Sequence, residues 1–349
     1  VSPRLACSDF SRLRTCACTL TSSAETDSSQ MMNFGSTASA RALQMAAAEV
    51  AQGSAGCALI VCADRMSNGP VVYYPDASAP GGRGITESWT LDNFGHDPYA
   101  KNAMIDTAEN ASARLGVTMA ELNEVTLARF AQYQAALADD RAFQRRYMVE
   151  APLFDSGFRR QTGTLAADEG IFPTTAEGLA KLKPVKPNGT HTFGTQTHPA
   201  DGNAGMIVTT RELARALSTD SAIEVELLGF GQARVEKGYM PLAPAPAAQV
   251  ALKQAGLTIK DVDAVKSHNP FAANDIAFAR DTGFPLGKMN NYGCSLIWGH
   301  PQGPTGLRST IELIEELALR GGGVGLFTGC AAGDSGMALV LRVREAARK

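Results

Sequence analysis

Residues 290–306 have the sequence NNYGCSLIWGHPQGPTG, which combines a short apolar segment, a histidine in a turn and the start of a helix. Proline disfavours helical geometry in the residue before it, so Pro301 ends the apolar segment at His300. Apolar residues then recur with the spacing of one helical face, at Leu307, Ile311, Ile314 and Ala318. Glutamates at 312, 315 and 316 fill the other face, and the sequence therefore predicts an amphipathic helix.

A second stretch, residues 328–336 with the sequence TGCAAGDSG, brings a cysteine close to that helix. Three glycines at 321–323 end the helix, and residues 324–328 predict a short buried strand that leads to Cys330. His300 and Cys330 therefore arrive on two turns that flank one helix. This layout is expected of an acid/base pair.

Both stretches resemble signatures of the thiolase family. The GHP turn at His300, followed by GPTG, resembles the histidine motif of that family, and Cys330 in GCAAGDSGMAL resembles its second-cysteine motif. The resemblance covers about residues 31–343.

A third motif agrees with this resemblance. Residues 262–266 predict a buried strand, and SHNPF follows at 267–271. SHNPF resembles the family's NEAF or HEAF motif, with His268 as its first residue, although Asn269 and Pro270 replace the usual glutamate and alanine. Without the other two motifs, a strand-end histidine whose hydrogen bonds are satisfied would be the favoured interpretation of His268.

The nucleophile motif departs from the family pattern. An alanine-rich helix is predicted from Ser36 to just before Gly53, and CALIVC at 57–62 predicts a buried strand. NFGS at 33–36 resembles the nucleophile motif, with Ser36 where the family has its reactive cysteine. A helix N-terminus stabilises a thiolate, whereas a serine hydroxyl is far less acidic and needs a base. Serine at a helix start is also an ordinary N-cap, so a catalytic and a capping role both remain open.

The resemblance implies thioester chemistry on coenzyme A, with the acyl group taken up by the residue at 36. His300 is implied as the general base, and Cys330 as the group that removes or returns the α-proton of the second substrate. His268 and the backbone N–H groups near Ser36 and Ala332 are implied to stabilise oxyanions. The reaction would transfer an acyl group between CoA thioesters, forming or thiolytically cleaving a carbon–carbon bond. The CoA thioester is the substrate, and no separate cofactor is expected.

The resemblance also implies an α/β fold, a layered αβαβα architecture of two similar halves with an inserted loop domain. A weak internal repeat agrees, since each half has a helix, a glycine and a strand that ends near Cys62 or Cys330. The predicted divisions are residues 1–30, irregular or disordered; 31–220, the first half, with the loop domain at about 68–190; and 221–349, the second half.

The loop domain contains the predicted coenzyme A site. Its helices are predicted at 99–115 and 118–138, the second with a capping box formed by Thr118 and Glu121. Five arginines follow, and these cations would suit the phosphates of coenzyme A, although a solvated basic face is the alternative. They are Arg141, Arg145, Arg146, Arg159 and Arg160. TQTHPADG at 195–202 resembles the family's pantetheine-binding turn, with Thr197 where the family has serine.

Composition limits the classes of function and the cellular location that the sequence allows. A net charge of −3 gives no support for nucleic-acid binding, and no apolar run reaches the length of a membrane span. Seven cysteines, an odd number, favour a reducing cytosol over a disulfide framework, so a cytoplasmic location is expected. No cysteine spacing completes a metal site.

A homodimer or homotetramer is expected. Because position 36 is serine, the alternative function is a catalytically silent homologue that binds acyl-CoA or serves as a partner subunit.

Overall fold

The computed structural model describes residues 4–5, 14–18, 36–88, 91–220 and 222–345. Residues 33–35 of the predicted nucleophile motif and most of residues 1–30 lie outside the described residues, as does the side chain of Ser36.

The described strands are β1 (Arg4–Leu5), β2 (Arg14–Cys18), β3 (Cys57–Arg65), β4 (Val71–Tyr74), β5 (Ile85–Ser88), β6 (Ala151–Phe154), β7 (Gln161–Leu165), β8 (Asp201–Thr209), β9 (Ile223–Arg234), β10 (Ala264–His268), β11 (Gly322–Ala331) and β12 (Ser335–Glu345). The described α-helices are α1 (Ser36–Ala51), α2 (Asp92–Gly95), α3 (Met104–Leu115), α4 (Met119–Arg141), α5 (Ala176–Ala180), α6 (Arg211–Leu217), α7 (Pro244–Gln254), α8 (Ala272–Thr282), α9 (Ser295–Trp298) and α10 (Gly303–Leu319).

The main sheet has seven strands in the order β10-β11-β12-β9-β2-β8-β3. Strand β10 runs parallel to β11, and β2 runs parallel to both of its neighbours, β8 and β9. The other three pairs are antiparallel. Strands of both predicted halves therefore lie in one mixed sheet, and β2 connects β8 of the first half to β9 of the second half. The α/β class predicted for the chain is confirmed.

Helices α1 and α10 pack in the largest core cluster, against side chains of the sheet. Leu43 and Ala47 of α1 lie there with Leu307 and Ile314 of α10 and with Leu227 of β9, and all five are fully buried. Both helices begin and end close to the predicted residues, because alanine, the helical spacing of apolar residues and the following glycines are local signals.

The glutamates of α10 do not form a solvated face. Glu312, Glu315 and Glu316 are at most 1% exposed, because α10 is covered on its polar side as well. Buried carboxylates need partners, and here Lys266 Nζ lies 3.1 Å from Glu312 and Arg146 Nε donates to Glu315 over 2.7 Å. The glutamates opposite the apolar positions of α10 are therefore buried too, with cationic partners from other elements.

Two strands also differ from expectation. Strand β3 was expected to be buried, but it is the last strand of the main sheet, and Leu59 and Val61 are 48% and 64% exposed. Residues 1–30 were expected to be irregular, but Arg14–Cys18 form β2, at the centre of the same sheet. Five residues are too few to show a strand period, and the ladder bonds of β2 come from distant strands, which the sequence pattern does not reveal.

The chain between β3 and β8 leaves the main sheet and builds the region predicted as the loop domain. Thr118 caps α4 as predicted: its Oγ1 accepts the Glu121 N–H, and Glu121 accepts the Thr118 N–H over 2.8 Å. Helix α3 starts at Met104 rather than at residue 99, because the Asp97 carboxylate accepts the N–H groups of residues 99 and 100 and holds a turn there.

Candidate active site

The site lies at the carboxyl ends of two parallel strands. His268 is the last residue of β10 and is paired in register with Gly329 of β11, so Cys330 is the next residue along β11. Residues at the carboxyl ends of adjacent parallel strands meet at one edge of the sheet. Both side chains are buried, and Asn274 Nδ2 of α8 donates to Cys330 Sγ over 3.3 Å.

His300 reaches the same place from the turn between α9 and α10. Its ring stacks on the ring of His268, with the centroids 4.1 Å apart and an interplanar angle of 28°. The turn depends on Gly299, whose φ is +93° and where an added Cβ would lie 2.9 Å from His198 Nε2. His300 N–H donates to the His198 carbonyl over 2.8 Å, which fixes the turn against residues 198–200.

The second ring nitrogens of both histidines have identified partners. His268 Nδ1 lies 2.9 Å from Ser295 Oγ, and His300 Nδ1 lies 2.7 Å from Thr305 Oγ1 in the first turn of α10. Each Nε2 is therefore the ring nitrogen left for a substrate.

Burial keeps both imidazoles neutral. It lowers the pKa of His300 to about 3, and burial, followed by the charge of His300, lowers the pKa of His268 well below its usual value. A neutral imidazole is the form that accepts a proton as a general base. Burial also raises the pKa of the Cys330 thiol to about 12, so this thiol carries its proton near neutral pH.

Thr197 lies beside the HNPF segment. Its N–H donates to the Pro270 carbonyl over 2.7 Å, and its Oγ1 donates to the Ser295 carbonyl over 2.5 Å. The next residue, His198, meets the edge of the Phe172 ring. The predicted pantetheine turn is thus attached directly to the strand end that carries His268.

Three of the five arginines predicted to bind coenzyme A, Arg141, Arg145 and Arg146, have partners within the protein. Arg146 pairs with buried Glu315, Arg145 pairs with Asp140 over 2.5 Å, and Arg141 donates to the Ala166 carbonyl. Of these, Arg145 is the most exposed, at 53% of its side chain. Their role as phosphate ligands stays a prediction.

The residues predicted to supply oxyanion N–H groups lie at the start of α1 and in the turn after Cys330. Ser36 is the first residue of α1, and Ala332 begins the turn that follows Cys330. The turn is held by Asp97, whose Oδ2 accepts the Gly333 N–H over 2.7 Å. Asp97 is separated from this turn by more than two hundred residues, so no local sequence pattern indicates the contact.

A buried polar network behind His268 was also not predicted. Asp275 accepts from Arg129 Nε over 2.8 Å, from Ser267 Oγ over 2.6 Å and from Asn269 Nδ2 over 2.8 Å. Asn290 Nδ2 donates to the same carboxylate. The only sequence signal was the presence of polar residues in segments that otherwise read as buried.

Family models match nearly the whole chain. The model of the thiolase N-terminal domain matches residues 8–212, and that of the thiolase C-terminal domain matches residues 222–343. The chain belongs to the thiolase family. The predicted division at 220 and 221 lies between the two matched ranges, and the finer domain limits stay predictions.

Curated thiolases align with much of the chain. The mouse peroxisomal 3-ketoacyl-CoA thiolase A is 34% identical over 219 residues, which are 62% of this chain and 51% of that protein. The acetyl-CoA acetyltransferase of Chromobacterium violaceum is 29% identical over 307 residues, 86% of this chain and 76% of that protein. This thiolase thus spans about half the length of the mouse relative that it matches.

Solved structures agree with the fold. The Bacillus anthracis acetyl-CoA acetyltransferase has a TM-score of 0.81 at 24% identity and covers 89% of this chain, with 78% of that chain covered. Human mitochondrial 3-ketoacyl-CoA thiolase has a TM-score of 0.80 at 24% identity, covering 95% of this chain and 87% of that chain. The predicted thiolase fold is confirmed.

In the part of the chain that the structure describes, no helix is long and apolar enough to cross a membrane.

Proposed function

We propose that this thiolase transfers acyl groups between CoA thioesters, forming or thiolytically cleaving a carbon–carbon bond. The observation that carries the proposal is the stacking of the His268 and His300 rings at the sheet edge where buried Cys330 follows Gly329, the residue paired with His268. Each of the three side chains came from a separate sequence motif. The curated relatives named 3-ketoacyl-CoA thiolase and acetyl-CoA acetyltransferase support the same reaction class.

In the first step, Ser36 Oγ attacks the thioester carbonyl carbon while His300 Nε2 takes the hydroxyl proton. The C–S bond then breaks, CoA leaves as its thiolate and takes up a proton, and an acyl-serine ester remains. His300 can act in this way only if its proton is on Nδ1, where Thr305 Oγ1 is the acceptor at 2.7 Å. His268 Nε2–H and the backbone near Ser36 and Ala332 serve as donors to the oxyanions.

In the second step, Cys330 handles the α-proton of the second CoA thioester. The thiolate form removes that proton, and the resulting carbanion attacks the ester carbonyl, which releases the Ser36 oxygen to take a proton again. In thiolysis, the Cys330 thiol returns a proton to the leaving carbanion instead. Its raised pKa supports the acid role directly, because the thiol form is present at neutral pH.

We propose that coenzyme A lies along the Thr197 turn with its phosphates toward Arg141, Arg145 and Arg146. Thr197 supports this position through its two hydrogen bonds to the segments that carry His268 and Ser295. The phosphates would compete with Asp140 for Arg145, whose side chain is the most exposed of the three.

We propose a homodimer that forms through β3, with a homotetramer as the larger alternative. Strand β3 ends the main sheet of the described chain, and its Leu59 and Val61 are exposed. An edge strand with apolar side chains is a template for pairing with a second chain. Exposed Val71 and Ile85 of the adjoining hairpin would extend the apolar contact.

A reducing compartment remains part of the proposal. The cysteines whose side chains the structure describes, Cys57, Cys62, Cys294 and Cys330, are all free thiols. Relatives named for the peroxisome and the mitochondrion make the cytoplasm one of several such compartments.

The test is an acyl-CoA exchange and thiolysis assay on wild type, His300→Ala and Cys330→Ala. General acid–base groups contribute about 10²–10⁴ in rate, so each variant should lose at least about 10²-fold in kcat. Ser309→Ala is a matched control, because its buried hydroxyl lies on the same helix as Thr305 and has no hydrogen-bond partner among the described residues. Wild type without turnover would favour a catalytically silent homologue. Full turnover in Cys330→Ala would remove Cys330 from the mechanism.

A further inference from the structure

The hydroxyl of Ser295 lies within hydrogen-bond distance of His268 Nδ1, at 2.9 Å. Ser295 begins α9 and is fully buried, so water does not compete for this contact. Which of the two atoms donates decides the tautomer of His268. Only the tautomer with its proton on Nε2 offers a donor to a substrate oxygen.

The surroundings of Ser295 determine where its proton goes. The Asn269 N–H donates to Ser295 Oγ over 3.2 Å and occupies one acceptor position of the hydroxyl. The hydroxyl proton can then go to Asn269 Oδ1 at 3.2 Å or to His268 Nδ1 at 2.9 Å. Asn269 Oδ1 already accepts the Leu296 N–H, whereas Nδ1 has no other donor among the described residues. The shorter and less shared contact is the one to His268.

The orientation of the Asn269 amide is fixed independently. Its Nδ2 donates to the Asp275 carboxylate over 2.8 Å, so its Oδ1 must face Ser295. Asp275 is fully buried and is itself held by Arg129 and Ser267. A hydrogen bond to a charged group is among the stronger ones in proteins. Asp275 is therefore held in place by its ion pair with Arg129, and the Asn269 amide cannot turn without losing its hydrogen bond to Asp275.

We propose that Ser295 is a positioning residue: its hydroxyl donates to Nδ1 of His268 and holds this ring as the Nε2–H tautomer that serves the thioester oxygen. The inference rests on the proposed function, in which His268 is an oxyanion donor. It also assigns opposite tautomers to the two stacked histidines. His268 presents an Nε2–H donor, while His300, with its Nδ1 proton on Thr305, presents an Nε2 acceptor.

The direct test is NMR of protein labelled with ¹⁵N in the histidine rings. The chain has five histidines, and His268→Gln assigns the signals of this one. In wild type we expect the His268 proton on Nε2. In Ser295→Ala we expect a mixture or the Nδ1–H form, and in Ser295→Thr, which keeps the hydroxyl, the wild-type tautomer. Wild type with the proton on Nδ1, or a Ser295→Ala spectrum with an unchanged tautomer, would overturn the proposal. If Ser295→Ala does not fold, the wild-type spectrum alone decides.

Kinetics provide the second readout. Loss of one oxyanion donor typically costs about 10²–10³ in rate, so Ser295→Ala should lower kcat by up to that factor, with a smaller change in KM. Ser309→Ala removes another buried hydroxyl that does not contact His268, and its kcat should stay close to wild type. The NMR result does not require turnover. If only the proposed function fails, wild type will be inactive, but its His268 proton will still be on Nε2 and will still move in Ser295→Ala.

Discussion

The buried ion pair between α4 and α8 offers a sharp test of what holds the site together. Arg129 and Asp275 are at most 1% exposed, and Arg129 Nε donates to Asp275 over 2.8 Å. Arg129 also donates to the carbonyls of Met289 and Leu286, each over 3.0 Å. The substitution Arg129→Met keeps an unbranched, apolar side chain while it removes the charge and these hydrogen bonds.

The loss of stability in Arg129→Met depends on the charge of Asp275, which stays buried. Breaking a buried pair by removing one partner costs about 3–5 kcal/mol, because the other charge stays buried without its counter-ion. Asp275 keeps neutral donors from Ser267, Asn269 and Asn290, so its charge remains partly compensated. We therefore expect a loss near the lower end, about 3 kcal/mol in the free energy of unfolding.

Urea unfolding at one fixed protein concentration measures this loss, since oligomer formation makes apparent stability concentration-dependent. The control is Arg280→Met, which breaks an ion pair with Glu121 between the same two helices. That pair is 42% and 38% exposed, so solvent screens it and the loss should be far smaller. Equal losses in the two variants would refute the reasoning that burial makes the Arg129 pair critical.

Three further predictions concern acid stability, assembly and ligand binding. The folded pKa of His300 is about 3, below the unfolded value of 6.5, so the unfolded chain binds this proton more readily. The free energy of unfolding should fall as pH drops from about 6.5 toward 3, by up to about 5 kcal/mol. In urea titrations across pH, His300→Gln should flatten this slope, and an unchanged slope would contradict the lowered pKa of His300. In sedimentation, Val61→Lys should convert a dimer to a monomer, because charge on an edge strand opposes pairing. The control Leu217→Lys, at an exposed apolar position on α6, should leave the dimer intact. A dimer that survives Val61→Lys would show that the interface does not involve β3. Coenzyme A binding measured by calorimetry should weaken as salt rises, since arginine–phosphate attraction is screened, and salt-independent binding would place the phosphates away from Arg145.

The sequence predicted those parts of the fold that depend on neighbouring residues. Helix α10 and the Thr118 cap followed from helical spacing and a capping box, and a strand leading to Cys330 followed from an apolar run. Strand β11 extends to Ala331, however, so Cys330 lies in the strand and not in the turn that was predicted. The motif positions of His268 and His300 then indicated a shared site, and their rings are stacked.

Features that depend on distant residues could not be predicted in this way. Strand β2 has partners almost two hundred residues away, and β3 is exposed because no strand of the described chain covers its edge. The burial of the α10 glutamates depends on Lys266 and Arg146, which approach from other elements. The Asp275 network is likewise assembled from four separate segments. Sequence spacing carries no information on such contacts.

The central claim is that Ser36 accepts the acyl group in place of a cysteine. Intact mass spectrometry after mixing with acetyl-CoA tests it most directly, on wild type, Ser36→Ala and Ser36→Cys. Wild type should gain the mass of one acetyl group, and Ser36→Ala should gain none. Ser36→Cys should be acylated faster than wild type, because a thiol is more nucleophilic and more acidic than a hydroxyl. An adduct that persists in Ser36→Ala, or a wild type that never forms one, would contradict acylation of Ser36.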